Sequence, residues 1–373
     1  MSPLPAPPQM HVIFVDHIGD QGGGQLALGR FLARRSSLKK ELVLFQGGEL
    51  QAIAASRGIP TTILGTSLEG WRVFGRARKL TKILRRSNAD AIVVNSLRAA
   101  IVISLTPKGR SKYIYYLRED LSRARLKGLK RMLVLFWVLP RFEAYLANSQ
   151  WTASTIPRRL LGSRPVEVAY PQSGLSLAPE IHLLREATTM RIVSISRLVP
   201  WKGLHLLLEA CQILEERGHR DEFEVALVGG SDDAEYVTKL KEHATRVRVK
   251  VEFVGHVKDV TQQLERSDVS VVLSTAPEPF GQVVLQGMAA GTVVVACGHG
   301  GPSEVIVDGQ TGILIRPNSS IALADTIEML LRDPEMRKRL ASNARNQARS
   351  YSDELLGDVL ESAIRRLTNA GTS

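Results

Sequence analysis

Short apolar runs rich in Val, Ile, Tyr and Leu recur along the chain, and between most of them apolar residues return every third or fourth position. Runs that are apolar on both faces predict buried parallel strands, and the longer stretches predict the helices that cover them. In the first half the runs are HVIFVDHI (from His11), ELVLFQ (from Glu41), AIVVNS (from Ala91), YIYYL (from Tyr113), AYLANS (from Ala144) and VEVAY (from Val166). After a loop, PQSGLSLAPE, the pattern restarts with RIVSIS (from Arg191), then FEVALVGG, VEFVGH, VSVVLST and TVVVAC. LHLLLEACQILEERG (from Leu204) is a long helix with a glycine stop, and a last helix spans about Asp353 to Leu367. Alternation of this kind predicts an α/β protein with two doubly wound parallel sheets. The expected limits are a proline-rich leader over residues 1–10, a first domain over 11–175, a second over 176–350 and a C-terminal helix over 351–373.

Charge separates the two halves. Residues 1–190 hold 28 Lys+Arg against 12 Asp+Glu, and residues 191–373 hold 21 against 25. A basic first half points to a polyanionic partner. GWRVFGRARKLTKILRRSNAD (from Gly70) sets Trp71, Phe74, Leu80, Ile83 and Leu84 among seven cations, with no acid before Asp90. Between Arg118 and Arg141, the cations Arg123, Arg125, Lys127, Lys130 and Arg131 precede the apolar run MLVLFWVLP, which holds Trp137. Cationic amphipathic helices of this composition suit an anionic membrane face; the alternative is an ordinary surface helix packed on its sheet. Nucleic acid is disfavoured as a partner, because no reader motif is present and aromatics are only 5%. The run MLVLFWVLP is too short to span a bilayer. Cys211 and Cys297 are the only cysteines, too few for a disulfide framework, which points to a reducing, cytoplasmic setting.

Four segments carry chemistry. SRLVPWKG follows the first strand of the second domain and places Arg197 and Lys202 at a carboxyl strand end, where open α/β sheets bind ligands; two fixed cations there suit a diphosphate. APEPFGQVVLQGMAAG opens a helix, so the amides from about Gly281 to Val284 form an anion site. Glu278 stands just outside that site, where a carboxylate suits sugar hydroxyls. CGHGGPSEVIVDGQTGIL brings Gly298, Gly300 and Gly301 after the next strand, with Glu304 beyond, and is expected to close the crevice opposite. His299 has no partner ligands at metal-binding spacing. DQGGGQ, with Gly22, Gly23 and Gly24, lacks the full dinucleotide pattern GxGxxG and fits a phosphate or a transferred group better.

Together SRLVPWKG, EPFG with Gln286 eight positions after Glu278, GGPSEVIVDGQTGIL and the GGGQ turn resemble the retaining glycosyltransferases of family 4. The resemblance is specific from about residue 190 to 350 and general in the first half. It implies a GT-B fold, two Rossmann-like domains facing across a cleft, and a nucleotide-diphosphate sugar as co-substrate with no other cofactor. It places Arg197 and Lys202 on the diphosphate and Glu278 on the donor sugar. Phe280, Gly281, Gln282, Val283 and Val284 are then donor contacts, Gln286 stands at the ribose, and Val254, Gly255, His256 and Val257 lie near the base. The acceptor side is expected at Gly22, Gly23, Gly24, Arg118 and Glu119. Two positions depart from the family: Gln286 stands where a second Glu is usual, and Arg118 where a His is frequent. No acidic pair stands in a metal-binding context, so no metal is expected. The activity implied is transfer to a lipid-linked or cell-envelope glycan acceptor at the cytoplasmic membrane face. The alternatives are a soluble transferase with a small acceptor and a decayed nucleotide-sugar-binding protein. Oligomeric state is not legible.

Overall fold

The computed structural model describes residues 9–19, 22–65, 72–122, 126–175, 177 and 189–370. Asp20, Gln21, Trp71, Arg123, Arg125 and most of the expected leader lie outside the described residues. Among those described, the residues up to Gln172 and those from Asp353 onward form one compact unit, and Ser173–Ser352 forms the other.

The first unit holds a seven-stranded parallel sheet. Its strands are β1 (His11–Asp16), β2 (Lys39–Leu44), β3 (Thr61–Ile63), β4 (Ala91–Val94), β5 (Lys112–Leu117), β6 (Ala144–Ala147) and β7 (Val166–Val168), in the order β3-β2-β1-β4-β5-β6-β7. Register is set by pairs such as Val12 opposite both Lys40 and Ala91. The period of two sorts each strand between two cores. Ile13, Val15, Ile92, Val94, Tyr113 and Tyr115 face one layer; Val12, Phe14, Ala91, Val93, Ile114 and Tyr116 face the other. The helix Asp353–Asn369 closes the second layer over β6 and β7, burying Leu360, Ala363, Ile364 and Leu367 in the cluster that holds Ala144 and Leu146. Arg366 fixes its end with a two-point ion pair to Glu167, Nε to Oε1 at 2.8 Å and Nη2 to Oε2 at 2.7 Å.

The second unit holds a six-stranded parallel sheet: β8 (Met190–Ile195), β9 (Phe223–Val228), β10 (Val251–Gly255), β11 (Val269–Val272), β12 (Val293–Cys297) and β13 (Ile313–Ile315), in the order β10-β9-β8-β11-β12-β13. Both sheets reverse strand order once, between β1 and β4 and between β8 and β11. The edge strands β3 and β13 carry no legible run. Each has three residues, and the first, Thr-Thr-Ile, is only partly buried. Cys211 and Cys297 are buried and free, and burial pushes their thiols up to about 12 and about 11.

The two basic stretches part company in the structure. In the helix Arg72–Arg86 the apolar residues Ala77, Leu80 and Leu84 are buried in the first unit's core, leaving Arg78, Lys79, Lys82, Arg85 and Arg86 exposed. The core thus takes most of this helix's apolar side and solvent takes the charge, while Phe74 stays 61% exposed. The second stretch differs. Gly128–Leu133 is an α-helix that continues as a π-helical turn, Val134–Val138. Val134 and Val138 enter the core, while Leu129, Met132, Phe136 and Trp137 are 82%, 58%, 64% and 55% exposed beside the exposed Lys127 and Lys130. No helix among the described residues is long and apolar enough to cross a membrane.

Candidate functional site

In open parallel sheets ligands bind at the carboxyl strand ends where strand order reverses. In the second unit that place is beyond β8 and β11. After β8 the chain runs through Arg197 into a 3₁₀ turn, Pro200–Lys202, closed by Gly203 at φ +71°. A side chain at Gly203 would overlap the Leu273 carbonyl, so only glycine lets this turn lie against the end of β11. The contact is locked by the Thr275 N–H donating to the Trp201 carbonyl at 2.8 Å. It sets Lys202 beside Glu278: Nζ donates to Oε2 at 2.6 Å, and the Ser274 hydroxyl donates to the same oxygen at 2.6 Å. The ammonium also sits 4.2 Å from the centre of the Trp201 ring. At 15% and 13% side-chain exposure, Lys202 and Glu278 form a largely shielded pair. Shielding makes the pair costly to break from one side.

The two glycine segments meet as expected. The Gly301 N–H donates to the Glu278 carbonyl at 2.8 Å, and Gly300 bridges Glu278. A Cβ at Gly300 would lie 2.8 Å from Glu278 N, and one at Gly301 would collide with the Phe280 backbone. Phe280 is buried, Gly281 turns the chain at φ +82°, and the helix Gln282–Ala290 starts there with no side chain capping it. The Val284 N–H turns back to the Gly281 carbonyl, and its side chain is buried; Gln282 and Val283 are half-buried. His299 donates from Nε2 to the Ser274 carbonyl at 2.9 Å, since a carbonyl can only accept. That leaves Nδ1 of the neutral ring as an acceptor.

Other expected residues are placed differently. Arg197 is exposed and makes no ion pair among the described residues; its loop is braced by the Leu198 N–H on the Gly230 carbonyl. Val254 and Val257 pack with Val193 and Val228, so their side chains serve the core. Gly255 accepts from the Gly229 N–H at 2.8 Å, and His256 is exposed. Gln286 donates from Nε2 to the Ser173 carbonyl at 2.7 Å, which commits one of its two amide N–H groups within the unit. Sequence reasoning missed Ser274, Trp201 and the contact of His299. Only Ser274 had a legible signal, a hydroxyl at the end of VSVVLST.

The first unit has its own polar cluster at the reversal point between β1 and β4. Asp16 ends β1 fully buried. It accepts from Asn95 Nδ2 at 2.6 Å and from Gln25 Nε2 at 3.1 Å. Burial raises its carboxyl, but hydrogen bonds from His17, Asn95 and Ser96 outweigh this and hold it below the usual carboxylate range. His17 Nδ1 lies 2.8 Å from the Ser96 hydroxyl. Gly22 caps the helix Gly23–Ala33, and Gly24 lies under Arg118, where a Cβ would come within 2.8 Å of Cδ. Glu119 turns away from the Arg118 guanidinium and accepts from the Leu97 N–H at 3.0 Å and the Tyr115 hydroxyl at 3.3 Å. Burial pushes the Glu119 carboxyl up. The cluster's central residues, Asp16 and Asn95, had no motif to mark them. Among the described residues no group of three or more His, Cys, Asp or Glu is placed to hold a metal ion.

Residues 182–347 match the family model of glycosyl transferases group 1. The match takes in the Lys202–Glu278 pair, the helix start and both glycine segments. The chain is 33% identical over 155 residues to a Methanocaldococcus jannaschii protein named uncharacterized glycosyltransferase MJ1607, covering 41% of this chain and 39% of that one. It is 31% identical over 178 residues to the alpha-D-kanosaminyltransferase of Streptomyces kanamyceticus, covering 47% and 45%. The chain thus matches less than half the length of these relatives. In fold it is similar to Anabaena Alr3699/HepE, solved with UDP and glucose: TM-score 0.81, 24% identity, 95% of this chain and 99% of that one. The architecture is GT-B.

Proposed function

We propose that this chain is a retaining glycosyltransferase that moves a sugar from a nucleotide-diphosphate sugar to a hydroxyl of a lipid-linked or cell-envelope glycan at an anionic membrane surface. The observation that carries the reading is the Lys202–Glu278–Ser274 constellation beside an uncapped helix start, inside the segment that matches the family model. The solved relative with UDP supports a nucleotide ligand.

In this reading Lys202 and the first amides of Gln282–Ala290 meet the diphosphate, and the exposed Arg197 closes on it from the same loop. Positive charge grows on the sugar as the bond to phosphate lengthens, and negative charge grows on the leaving oxygen. Fixed cations and the helix dipole stabilise that developing charge more than the ground state, which is what lowers the barrier. Transfer with retention follows if the acceptor hydroxyl attacks from the face the phosphate leaves, handing its proton to the departing phosphate oxygen. Glu278 is freed from Lys202 as the phosphate takes the ammonium, and its carboxylate is then available to donor-sugar hydroxyls. These cations belong to the chain itself, and we propose that turnover needs no added metal.

The membrane part of the proposal rests on Leu129, Met132, Phe136 and Trp137, exposed beside Lys127 and Lys130. Apolar residues bordered by cations suit insertion at an anionic interface. Nucleotide release from a panel of UDP-, GDP- and dTDP-sugars, with and without vesicles carrying lipid-linked glycan, tests the reading. Release lost in Lys202→Ala with the fold intact supports it; full turnover in that variant refutes it. Co-sedimentation with phosphatidylglycerol vesicles, lost in Phe136→Ser/Trp137→Ser, supports the membrane part. Absence of binding by the wild type at physiological salt favours a soluble acceptor.

A further inference from the structure

The geometry points to Arg118 as a specificity residue that grips an oxyanion, a carboxylate or phosphate, carried by the acceptor. This rests on the transferase reading above, with the first unit as the acceptor side.

Arg118 follows β5 directly, at the carboxyl edge of the first sheet. Its Nε donates to Asn95 Oδ1 at 2.6 Å. Asn95 is held in that orientation because its Nδ2 donates to Asp16 Oδ2 at 2.6 Å. The guanidinium lies over the Tyr116 ring, 4.0 Å from its centre, and Gly24 leaves room for its stem. Amide and ring therefore brace the group at its edge and on one face. Only Nε is used for this. The two terminal nitrogens make no hydrogen bond and no ion pair among the described residues.

The neighbouring carboxylates are kept off it. A neutral amide stands between Asp16 and Arg118, and Glu119 is spent on Leu97 and Tyr115. An arginine that served only packing would gain by pairing with one of them. Here the guanidinium is half-buried and held at Nε, with both terminal nitrogens uncommitted among the described residues. That fork matches the two oxygens of a carboxylate or phosphate, and it has more donors than a lone hydroxyl can use.

The test uses the whole chain and four probes: methyl glucuronide against methyl glucoside for the carboxylate, and glucose 6-phosphate against glucose for the phosphate. UDP is titrated separately to report on the second unit. A bonded charged pair of this kind is expected to make one acid about ten- to a hundredfold tighter than its neutral partner. Arg118→Gln should abolish that preference and leave UDP binding unchanged, and Arg118→Lys should keep part of it. A response to glucuronide alone assigns an acidic sugar; a response to phosphate alone assigns a phosphorylated acceptor. Equal binding of charged and neutral probes by a wild type that still binds UDP overturns the proposal, as does a preference surviving in Arg118→Gln. A preference that depends on Arg118 in a protein that binds no nucleoside diphosphate upholds the oxyanion grip and overturns the transferase reading instead.

Discussion

Glu278→Gln should separate nucleotide binding from sugar transfer. The Lys202 ammonium is not idle: it is bonded to Glu278 at 2.6 Å with both side chains at least 85% shielded. A diphosphate must therefore compete with a carboxylate for that cation. A hydrogen bond to a charged group is worth about 1.5–3 kcal/mol net, and this is the competition a diphosphate faces. Glutamine at position 278 keeps the size and can still accept from Lys202 and Ser274, but it removes the negative charge. If a third to a half of that competition disappears, UDP should bind about three- to tenfold more tightly, 1.4 kcal/mol being tenfold. Turnover should move the other way, because the amide grips the donor sugar's hydroxyls less strongly than a carboxylate.

The control is Lys202→Ala. It removes the cation and leaves a shielded carboxylate held only by Ser274, so stability should fall by about 1–3 kcal/mol. Loss of one charge-stabilising donor should lower turnover by about 100- to 1000-fold. In the double variant neither charge remains unpaired, so its stability loss should be smaller than the sum of the single losses. Calorimetric titration with UDP, denaturant unfolding and nucleotide release read the three quantities. UDP affinity that falls in Glu278→Gln, or stability losses that simply add, would refute the claim that the pair is formed at the expense of the ligand.

Other perturbations have equally definite outcomes. Gly300→Ala places a Cβ against the Glu278 backbone at a residue with φ +73°, so it should lower both stability and UDP affinity, read by unfolding and titration. Leu367→Ala removes a side chain buried between the C-terminal helix and the first sheet, and should cost about 2–5 kcal/mol in denaturant unfolding while leaving UDP binding unchanged. Lys40 donates to the carbonyls of Phe31 and Arg34 at 2.8 Å and 3.0 Å, and burial, with the Arg34 charge, pushes its ammonium down to about 8. The folded protein releases this proton near pH 8 and the unfolded chain near 10.5, so the unfolded chain binds more protons in between and wild-type stability should rise across that window. Lys40→Met should lose that slope, so the wild type should gain stability relative to the variant as pH rises from about 8 to 10.5, read by denaturant unfolding at several pH values.

Much of the fold was legible because buried parallel strands write themselves as apolar on both faces. AIVV and VVVAC are buried at every position, and the structure finds them where the run predicts. Two of the four edge strands, β3 and β13, lack that signature: Thr61–Ile63 has one sheet neighbour and partial exposure, so nothing demands a long apolar run. The cationic helix Arg72–Arg86 misled for the opposite reason. Its periodicity is real, but periodicity says only that one side is covered, not whether a sheet or a membrane covers it. Exposed apolar residues cluster more densely at Gly128–Leu133 and the π-helical turn that follows, where Phe136 and Trp137 stand between the buried Leu135 and Val138, than on the cationic helix, where Phe74 is exposed.

The same reasoning explains which parts of the candidate site were readable. Lys202, Glu278 and the two glycine segments lie within short stretches whose spacing is fixed by strand, turn and helix, and the structure brings them into contact. The first unit's cluster is assembled across residues 16, 24, 95 and 118, from the ends of three strands and the start of a helix, so no local spacing encodes it. The two positions that depart from the family's pattern are instructive together. Gln286 and Arg118 each carry N–H donors, and each is held by a neutral oxygen, Ser173 O and Asn95 Oδ1. For Gln286 that bond uses one of two N–H donors and leaves a neutral amide able to serve a hydroxyl, as a carboxylate there would. For Arg118 it uses one nitrogen of three and leaves two charged donors uncommitted among the described residues. Because Arg118 brings a charge that a neutral His lacks, whereas Gln286 stays within the chemistry of hydroxyl binding, Arg118 is the departure to test first for an altered substrate.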